Sequence, residues 1–281
     1  MKILVLGSTG LLGQALMKGF SSSQYNAFGT IRNIDLTTLL PKVSHKSLIE
    51  LDNVFELDKL NKVIEDLSID VLINCISIPD INNQKECKLN SVFVEFPQNL
   101  SNLCKQKNIK LIQISSDGVF SGKSGNYSEQ DIPDPIDLYG KAKLKGEVQE
   151  ENQLTIRVSM IGHDLVKHGG LLEWFIKQKT CSLYTNYIFS GLTTNELSRV
   201  IKEYILTNSK LSGLYHVAAN PISKYELLSM VSEIYNLKIT INKDDSVKMN
   251  RSLSQNKFFE DTGYISPSWP ELIEKMKRGE Y

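Results

Sequence analysis

Apolar residues follow two alternating patterns along the first half of the chain. Short continuous apolar runs, suited to strands buried on both faces, stand at 3–6, 25–31, 47–51, 71–75, 109–115 and 154–158. Apolar residues recur at helical spacing between these runs, over 11–20, 57–67, 89–106 and 138–151. This alternation of strand and helix predicts right-handed βαβ units around a parallel sheet.

The second half of the chain departs from this alternation. The stretch 117–137 is rich in Gly, Ser, Asp and Pro, which is typical of a long loop with a function. From about Gly162 the alternation weakens. We predict an α/β fold, a Rossmann doubly wound parallel sheet with a smaller intercalated C-terminal substrate-binding lobe. The predicted division is 1–160 for the sheet domain with a return segment near 186–208, and 161–185 with 209–281 for the lobe.

Composition and charge exclude several classes of function. Among 281 residues, 32 Lys and Arg balance 32 Asp and Glu. Nucleic-acid coats and polybasic membrane binders need a positive surplus, so neither partner is expected. No apolar run reaches the roughly 18 residues of a membrane span, and the N-terminal run is too short for a signal peptide. The four cysteines lack zinc spacing, so we predict a cytoplasmic protein with free thiols and no metal site.

A glycine-rich turn follows the first predicted strand and opens the first predicted helix. It consists of Gly7, Ser8, Thr9, Gly10, Leu11, Leu12 and Gly13. The first glycine allows a tight bend, the second lets the backbone approach a pyrophosphate, and the third lets helix and strand pack closely. The helix N-terminus then offers unpaired N–H groups to the phosphates. In this position the pattern predicts a dinucleotide site.

The end of the second predicted strand bears on the choice of dinucleotide. An acid there would bind the ribose 2′-hydroxyl of NAD, but none occurs before Asp35, and Arg32 is placed to pair with a 2′-phosphate. NADP(H) is therefore predicted in preference to NAD(H), which stays open as the alternative. Residues after the third and fourth strands complete the predicted cofactor site: Asp52, at the adenine edge, with Cys75, Ile76 and Ser77.

A tyrosine and a lysine stand four positions apart in the helix after the long loop. Tyr139 and Lys143 share one helix face. The fifth strand ends in Ser115 and Ser116, which brings hydroxyl groups to the same sheet edge, where a nicotinamide would lie.

The motifs around these residues resemble those of the extended short-chain dehydrogenases/reductases, and within them dTDP-4-dehydrorhamnose reductase and related nucleotide-sugar reductases. Ser-Ser-Asp-Gly-Val-Phe-Ser-Gly at 115–122 is similar to the family's S-T-D-x-V-F-x-G. Tyr-Gly-Lys-Ala-Lys-Leu-Lys-Gly-Glu at 139–147 is similar to Y-G-x-x-K-x-x-G-E. Softer similarity at 154–159, 213–217 and 250–257 extends the resemblance over nearly the whole chain.

The resemblance implies a catalytic role for three residues. Tyr139 would protonate a carbonyl oxygen as hydride arrives from the nicotinamide. Lys143 would lower the pKa of Tyr139 and bind the nicotinamide ribose, and Ser116 would orient the carbonyl. The implied reaction is NAD(P)H-dependent reduction of the 4-keto group of a nucleotide-activated 6-deoxyhexose, in deoxysugar and surface polysaccharide biosynthesis.

The predicted contacts with the nucleotide-sugar come from Asp117, Gly118, Val119, Phe120, Trp174 and Arg251. Arg251 would grip the pyrophosphate through its two-pronged guanidinium, and Trp174 would stack on the base. The family often has an aromatic residue at the position of Gly118, so the lack of a ring suggests a sugar with a bulkier substituent. No second carboxylate follows Asp117, which disfavours the elimination chemistry of related dehydratases.

Two other functions stay open beside the reductase. An epimerase would hold NAD tightly and return the hydride to its substrate. A regulatory subunit would bind NADP without catalysis, and the intact Ser116, Tyr139 and Lys143 argue against it. A homodimer through the helices at 89–106 and 138–151 also stays open.

Overall fold

The computed structural model describes residues 1–21, 23–33, 47–78, 83–166 and 168–281. The strands in these ranges are β1 (Lys2–Leu6), β2 (Asn26–Ile31), β3 (Leu48–Glu50), β4 (Val71–Asn74), β5 (Lys110–Ile114), β6 (Gln153–Arg157), β7 (Met160–Ile161), β8 (Thr180–Phe189), β9 (Leu192–Thr193), β10 (Gly213–His216), β11 (Ile222–Ser223) and β12 (Thr240–Asn250). The α-helices are α1 (Leu11–Ser21), α2 (Leu57–Leu67), α3 (Glu86–Asn90), α4 (Phe96–Lys107), α5 (Leu138–Lys145), α6 (Gly170–Phe175), α7 (Thr194–Val200), α8 (Lys224–Ile234), α9 (Asn256–Thr262) and α10 (Trp269–Arg278).

Seven parallel strands form the main sheet, in the order β10-β6-β5-β4-β1-β2-β3. The chain enters at β1, moves outward to β3, and returns to β4 on the other side of β1. The strand order therefore reverses between β1 and β4, and in such sheets a crevice opens at the carboxyl ends of the strands beside this point. The predicted α/β, Rossmann doubly wound parallel sheet is confirmed.

The apolar run of β1 is continuous because helices cover both faces of the sheet. Ile3 and Val5 belong to the core cluster that includes residues of α1 and α7. Leu4 and Leu6 belong to the opposite cluster, which includes residues of α2 and α4. A strand buried on both faces has no position where a polar side chain would reach water.

Strand pairing moves the boundaries of the predicted division into domain and lobe. Residues 186–189 of the expected return segment belong to β8, which pairs with β11 and β12 in a separate three-stranded sheet. The strand that does return to the main sheet is β10, which pairs with β6 although the prediction assigned it to the lobe. Leu214 and Tyr215 of this strand are both buried, and Tyr215 belongs to the core cluster on one face of the main sheet.

Two predicted helices differ in extent from the observed ones. The helix expected over 138–151 ends at Lys145, because the N–H of Gly146 closes the last turn on the carbonyls of Ala142 and Lys143. The helix expected over 89–106 consists of α3, a π-helical turn at Ser91–Glu95, and α4.

The loop over 117–137 has the expected irregular backbone, apart from a 3₁₀ turn at Asp117–Val119. The C-terminal part of the chain holds it in place. Asn126 N–H donates to Ser252 Oγ at 2.7 Å, and Asn250 N–H donates to Gly122 O at 2.7 Å. No helix in the described part of the chain is long and apolar enough to cross a membrane.

A buried ion pair joins the elements around the carboxyl edge of the main sheet. Arg157 donates through Nε and Nη2 to the two carboxylate oxygens of Glu147, at 2.7 and 2.8 Å, and the side chains are 3% and 4% exposed. Ser115 Oγ donates to the same carboxylate at 2.7 Å. Arg157 Nη1 lies 3.3 Å from His216 Nε2, and burial lowers the pKa of His216 to about 3, so the neutral ring accepts this bond.

We expect Glu147→Ala to lower the free energy of unfolding by about 3–5 kcal/mol, because it leaves the Arg157 charge buried and unpaired. Urea unfolding followed by circular dichroism measures the change. Glu150→Ala is the control, since the Glu150–Lys105 pair is exposed and its loss should change stability little. Equal effects of the two substitutions would contradict the account.

Candidate active site

The glycine-rich turn packs tightly between β1, β4 and α1. Gly7 has a φ of +78°, a conformation that favours glycine. A Cβ on Gly10 would lie 3.2 Å from Gly7 O, and a Cβ on Gly13 would collide with the same oxygen. Gly13 therefore allows the close helix–strand packing expected of the third glycine. The buried Ser8 hydroxyl donates to Thr30 O at 2.7 Å, so it braces the turn from inside.

A cleft of about 530 Å³ opens beside this turn at the carboxyl edge of the sheet. It is lined by Gly10, Leu11, Leu12, Cys75, Ile76, Ser77, Ile78, Ile114, Ser115, Ser116, Tyr139, Lys143, Val158, Ser159, Met160, Asp164, Gly169 and Gly170. Nine residues that the sequence singled out for cofactor or catalysis thus share one cleft. The segment 158–170 was missed because its residues are mostly small or apolar and carry no recognisable motif.

Tyr139 and Ser116 lie side by side in this cleft. The nearby Ser116 hydroxyl favours the phenolate form of Tyr139 and so acts to lower its pKa. Burial outweighs this effect and, together with the charges of Asp117 and Asp137, raises the pKa of Tyr139 to about 12. The lowering of this pKa by Lys143 stays a prediction. At neutral pH the phenol keeps its proton.

Lys143 is 7% exposed and donates from Nζ to Ile114 O at 2.6 Å. Burial lowers its pKa to about 8, and the nearby Glu147 carboxylate opposes this shift. Glu147 therefore helps to keep the ammonium charged near neutral pH.

Phe93, which sequence reasoning missed, packs against both residues of the Tyr-Lys pair. Its ring meets the Tyr139 ring edge-on at 5.4 Å between centroids, and Lys143 Nζ lies 4.9 Å from its centre. Phe93 belongs to the π-helical turn, and such turns often mark functional sites. A Cβ on Gly146 would collide with Phe93 O, so this glycine lets the end of α5 approach the turn.

Two predicted adenine-side residues lie outside the cleft. Arg32 is exposed and directly follows β2, while Asp35 lies outside the described residues. Asp52 directs its carboxylate to Lys59 Nζ at 3.2 Å, and this hydrogen bond lowers the pKa of Asp52. The predicted contact between Asp52 and the adenine edge would have to compete with that ion pair.

The predicted substrate residues fall into two groups. A Cβ on Gly118 would lie 3.2 Å from Ser116 Oγ and 3.6 Å from the Tyr139 ring, so this position borders the reacting groups. Val119 and Phe120 are fully buried, and the Phe120 ring stacks on Tyr127 at 4.1 Å. The predicted contacts of those two side chains with substrate are therefore corrected: both side chains belong to the core.

Asp117, Arg251 and Trp174 do not line the cleft, although Asp117 directly follows the cleft residue Ser116. Asp117 accepts from Ser116 Oγ at 3.2 Å, and burial raises its pKa despite the opposing charge of Arg251. Arg251 Nη2 lies 3.5 Å from a carboxylate oxygen of Asp137. Trp174, on α6, is 45% exposed.

Known proteins share both the sequence and the architecture of this chain. Methionine adenosyltransferase 2 subunit beta of Rattus norvegicus is 28% identical over 256 residues, which cover 84% of this chain and 72% of that protein. The probable low-salt glycan biosynthesis reductase Agl14 of Haloferax volcanii is 26% identical over 239 residues, which cover 78% of this chain and 75% of that protein.

Among solved structures, a hypothetical dTDP-4-dehydrorhamnose reductase from Sulfolobus tokodaii superposes with a TM-score of 0.77 at 25% identity, covering 96% of this chain and 98% of that one. The dTDP-4-dehydrorhamnose reductase of Bacillus anthracis, solved in complex with NADP, has the same fold with a TM-score of 0.77 at 19% identity, covering 99% and 98% of the two chains.

The family described as RmlD substrate binding domain matches residues 1–252. This match confirms the resemblance that the motifs indicate. With most of its length matched, the chain belongs to the RmlD substrate binding domain family.

Proposed function

We propose that this protein is a reductase that uses NAD(P)H to reduce the 4-keto group of a nucleotide-activated 6-deoxyhexose. The observation that carries the proposal is that Ser116, Tyr139 and Lys143 line the same cleft as the glycine-rich turn. The names of the Sulfolobus and Haloferax relatives, both reductases, support it. A cytoplasmic location and a role in polysaccharide biosynthesis belong to the same proposal.

The residues of the cleft fit a nicotinamide dinucleotide. The turn around Gly10 has no side chain between its backbone and the cleft, and a Cβ on Gly7 would lie 3.2 Å from Cys75 O. Gly10, Leu11 and Leu12 would hold the phosphates at the start of α1, and Lys143 would bind the nicotinamide ribose. When bound, the dinucleotide supplies the hydride.

The raised pKa of Tyr139 suits the reductive direction of the reaction. The protonated phenol is the acid that the ketone oxygen needs when hydride adds to its carbon. Ser116 would hold that oxygen within reach of the proton. The phenolate left behind would be stabilised by the Ser116 hydroxyl and by the positive charge of Lys143.

The direct test of the proposal is NADPH oxidation, followed by absorbance, against a panel of 4-keto-6-deoxy sugars carried on dTDP, UDP or GDP. Loss of NADPH with one member of the panel, and an alcohol at the former ketone carbon, is the expected result. Nicotinamide that stays bound through purification would instead indicate the epimerase.

A regulatory subunit without catalysis is the second candidate. It is favoured by the seven matching relatives that are named methionine adenosyltransferase 2 subunit beta. Protein that binds NADPH but oxidises none of it with any sugar of the panel would favour the regulatory subunit over the reductase.

We expect Tyr139→Phe to lower kcat by about 10²–10⁴-fold, because it removes the proton donor and leaves the ring contact with Phe93. The dissociation constant for NADPH, measured by fluorescence titration, should stay nearly unchanged. Tyr184→Phe, on the lobe and 38% exposed, is the control. A Tyr139→Phe enzyme of near-normal turnover would refute the catalytic assignment.

We expect Arg32→Ala to weaken NADPH binding by about tenfold and to leave NADH binding unchanged, because only NADPH carries the 2′-phosphate. Titration of both nucleotides measures the ratio. Arg278→Ala, which removes an exposed guanidinium near the C-terminus, should change neither constant. Wild-type protein that binds NADH as tightly as NADPH would overturn the predicted preference.

A further inference from the structure

A group of charged and phenolic side chains from separate parts of the chain lies beside the cleft, around Asp117, which directly follows the cleft residue Ser116. Asp117 follows β5, and Asp137 is the N-cap residue of α5. Tyr187 lies on β8, Lys224 begins α8, and Arg251 directly follows β12. Strand pairing brings Lys224 and Arg251 to the same part of β8, because Ser223 and Asn250, the residues before them, both pair with Ile188. The lobe thus brings two cations to the residue next to catalytic Ser116.

Lys224 has an unusual position for a lysine. It is the first residue of α8, where the helix dipole disfavours a positive charge. Its ammonium lies 4.0 Å from the centre of the Phe189 ring and 5.6 Å from that of Tyr187. Burial lowers its pKa to about 8, which Asp117 opposes.

The ammonium of Lys224 also has unused hydrogen-bonding capacity. Across the described ranges it donates no hydrogen bond and forms no ion pair within 4 Å. Arg251 is in a similar state: its side chain is 12% exposed, and its Nε is buried without a hydrogen-bond partner. Buried polar groups in proteins are ordinarily satisfied, so the open Nε of Arg251, together with a half-buried ammonium that has no protein acceptor, indicates a ligand.

The acids nearby satisfy these two cations only in part, because Asp137 Oδ2 accepts from Arg251 Nη2 at 3.5 Å while neither Asp117 nor Asp137 accepts from Lys224. Asp137 Oδ1 accepts the N–H of Gly140 at 2.7 Å and so caps α5. Asp117 is occupied by the hydroxyl groups of Ser116 and Ser159, and burial raises its pKa. The start of α8 adds its own partial positive charge to that of Lys224. The site is therefore suited to oxygen atoms that carry negative charge.

We propose that Lys224 is a substrate-binding residue that forms, with Arg251, a two-cation site for an oxyanion of the substrate. The oxyanion is either the diphosphate or a carboxylate on the sugar. The inference rests on the proposed function in one respect, that the substrate is a nucleotide-sugar. It assigns to Lys224 a role that the motifs around Ser116 and Tyr139 do not reveal.

The test compares Lys224→Met with wild-type protein in calorimetric titrations at saturating NADPH. The ligands are dTDP, UDP and GDP, together with UDP-glucose and UDP-glucuronic acid. We expect Lys224→Met to lower the affinity for the ligand that carries the oxyanion by tenfold or more, because the substitution removes a charge-assisted hydrogen bond. Lys224→Arg should restore part of the affinity. Lys238→Met, which removes an exposed charge from the same lobe, is the matched control.

The pattern across ligands distinguishes the two sources of the oxyanion. Weaker binding of the nucleoside diphosphates themselves identifies the diphosphate. Weaker binding of UDP-glucuronic acid, with UDP and UDP-glucose unaffected, identifies a sugar carboxylate. Unchanged dissociation constants in Lys224→Met, equal losses in Lys238→Met, or wild-type protein that binds none of these ligands would overturn the inference.

Thermal unfolding separates this role from a merely structural one. Methionine fits beside Phe189 and removes an uncompensated charge, so Lys224→Met should unfold at the wild-type temperature or above it while binding its ligand less well. If Lys224 had only a structural role, Lys224→Met would unfold at a lower temperature than wild-type protein and would bind the ligand as tightly. Binding is measured without turnover, so the two proposals can fail separately. If ligand binding depends on Lys224 but no NADPH is oxidised with any sugar of the panel, the reductase is rejected and the oxyanion site is retained.

Discussion

The buried pair of Glu147 and Arg157 is the interaction on which the geometry of the active site depends. Two buried charges are costly unless their hydrogen bonds are complete, and here the carboxylate takes both guanidinium contacts and the hydroxyl of Ser115. The pair holds the ends of β5 and β6 at fixed separations from Glu147, which stands two residues after the end of α5. Ser116 and Lys143 are attached to those same elements, so their positions follow from it.

Burial in the cleft favours the form of Tyr139 that the proposed reaction needs and disfavours the form of Lys143 that it needs. It favours the uncharged form of each group, which is the protonated phenol and the unprotonated amine. The phenol needs its proton to act as an acid, so burial suits it. The amine needs its charge, and Glu147 supplies the field that counters burial. One carboxylate therefore serves both the stability of the fold and the charge of Lys143.

The sequence predicted best those features that a local pattern determines. A run such as β1 has to be a strand covered on both faces, and the glycine-rich turn requires a strand before it and a helix after it. Local pattern does not show which way a side chain faces, so Phe120 was assigned to substrate although it lies in the core. Phe93 and Lys224 were missed because their importance arises from contacts between elements that are distant in the sequence: Phe93 packs against Tyr139, and Lys224 lies against Phe189 of β8.

The two parts of the structure divide the work of the proposed reaction. The sheet domain supplies the groups that handle the proton and the cofactor, and it holds them rigidly. The lobe supplies Lys224 and Arg251, which we propose bind the substrate, and Gly118 carries no side chain that would crowd Ser116 and Tyr139. Changes in the lobe can therefore alter which substrate is held while Ser116 and Tyr139 keep their geometry. The residues for the proposed reaction and those for substrate choice lie in different parts of this fold. Membership of the family alone therefore does not determine the substrate.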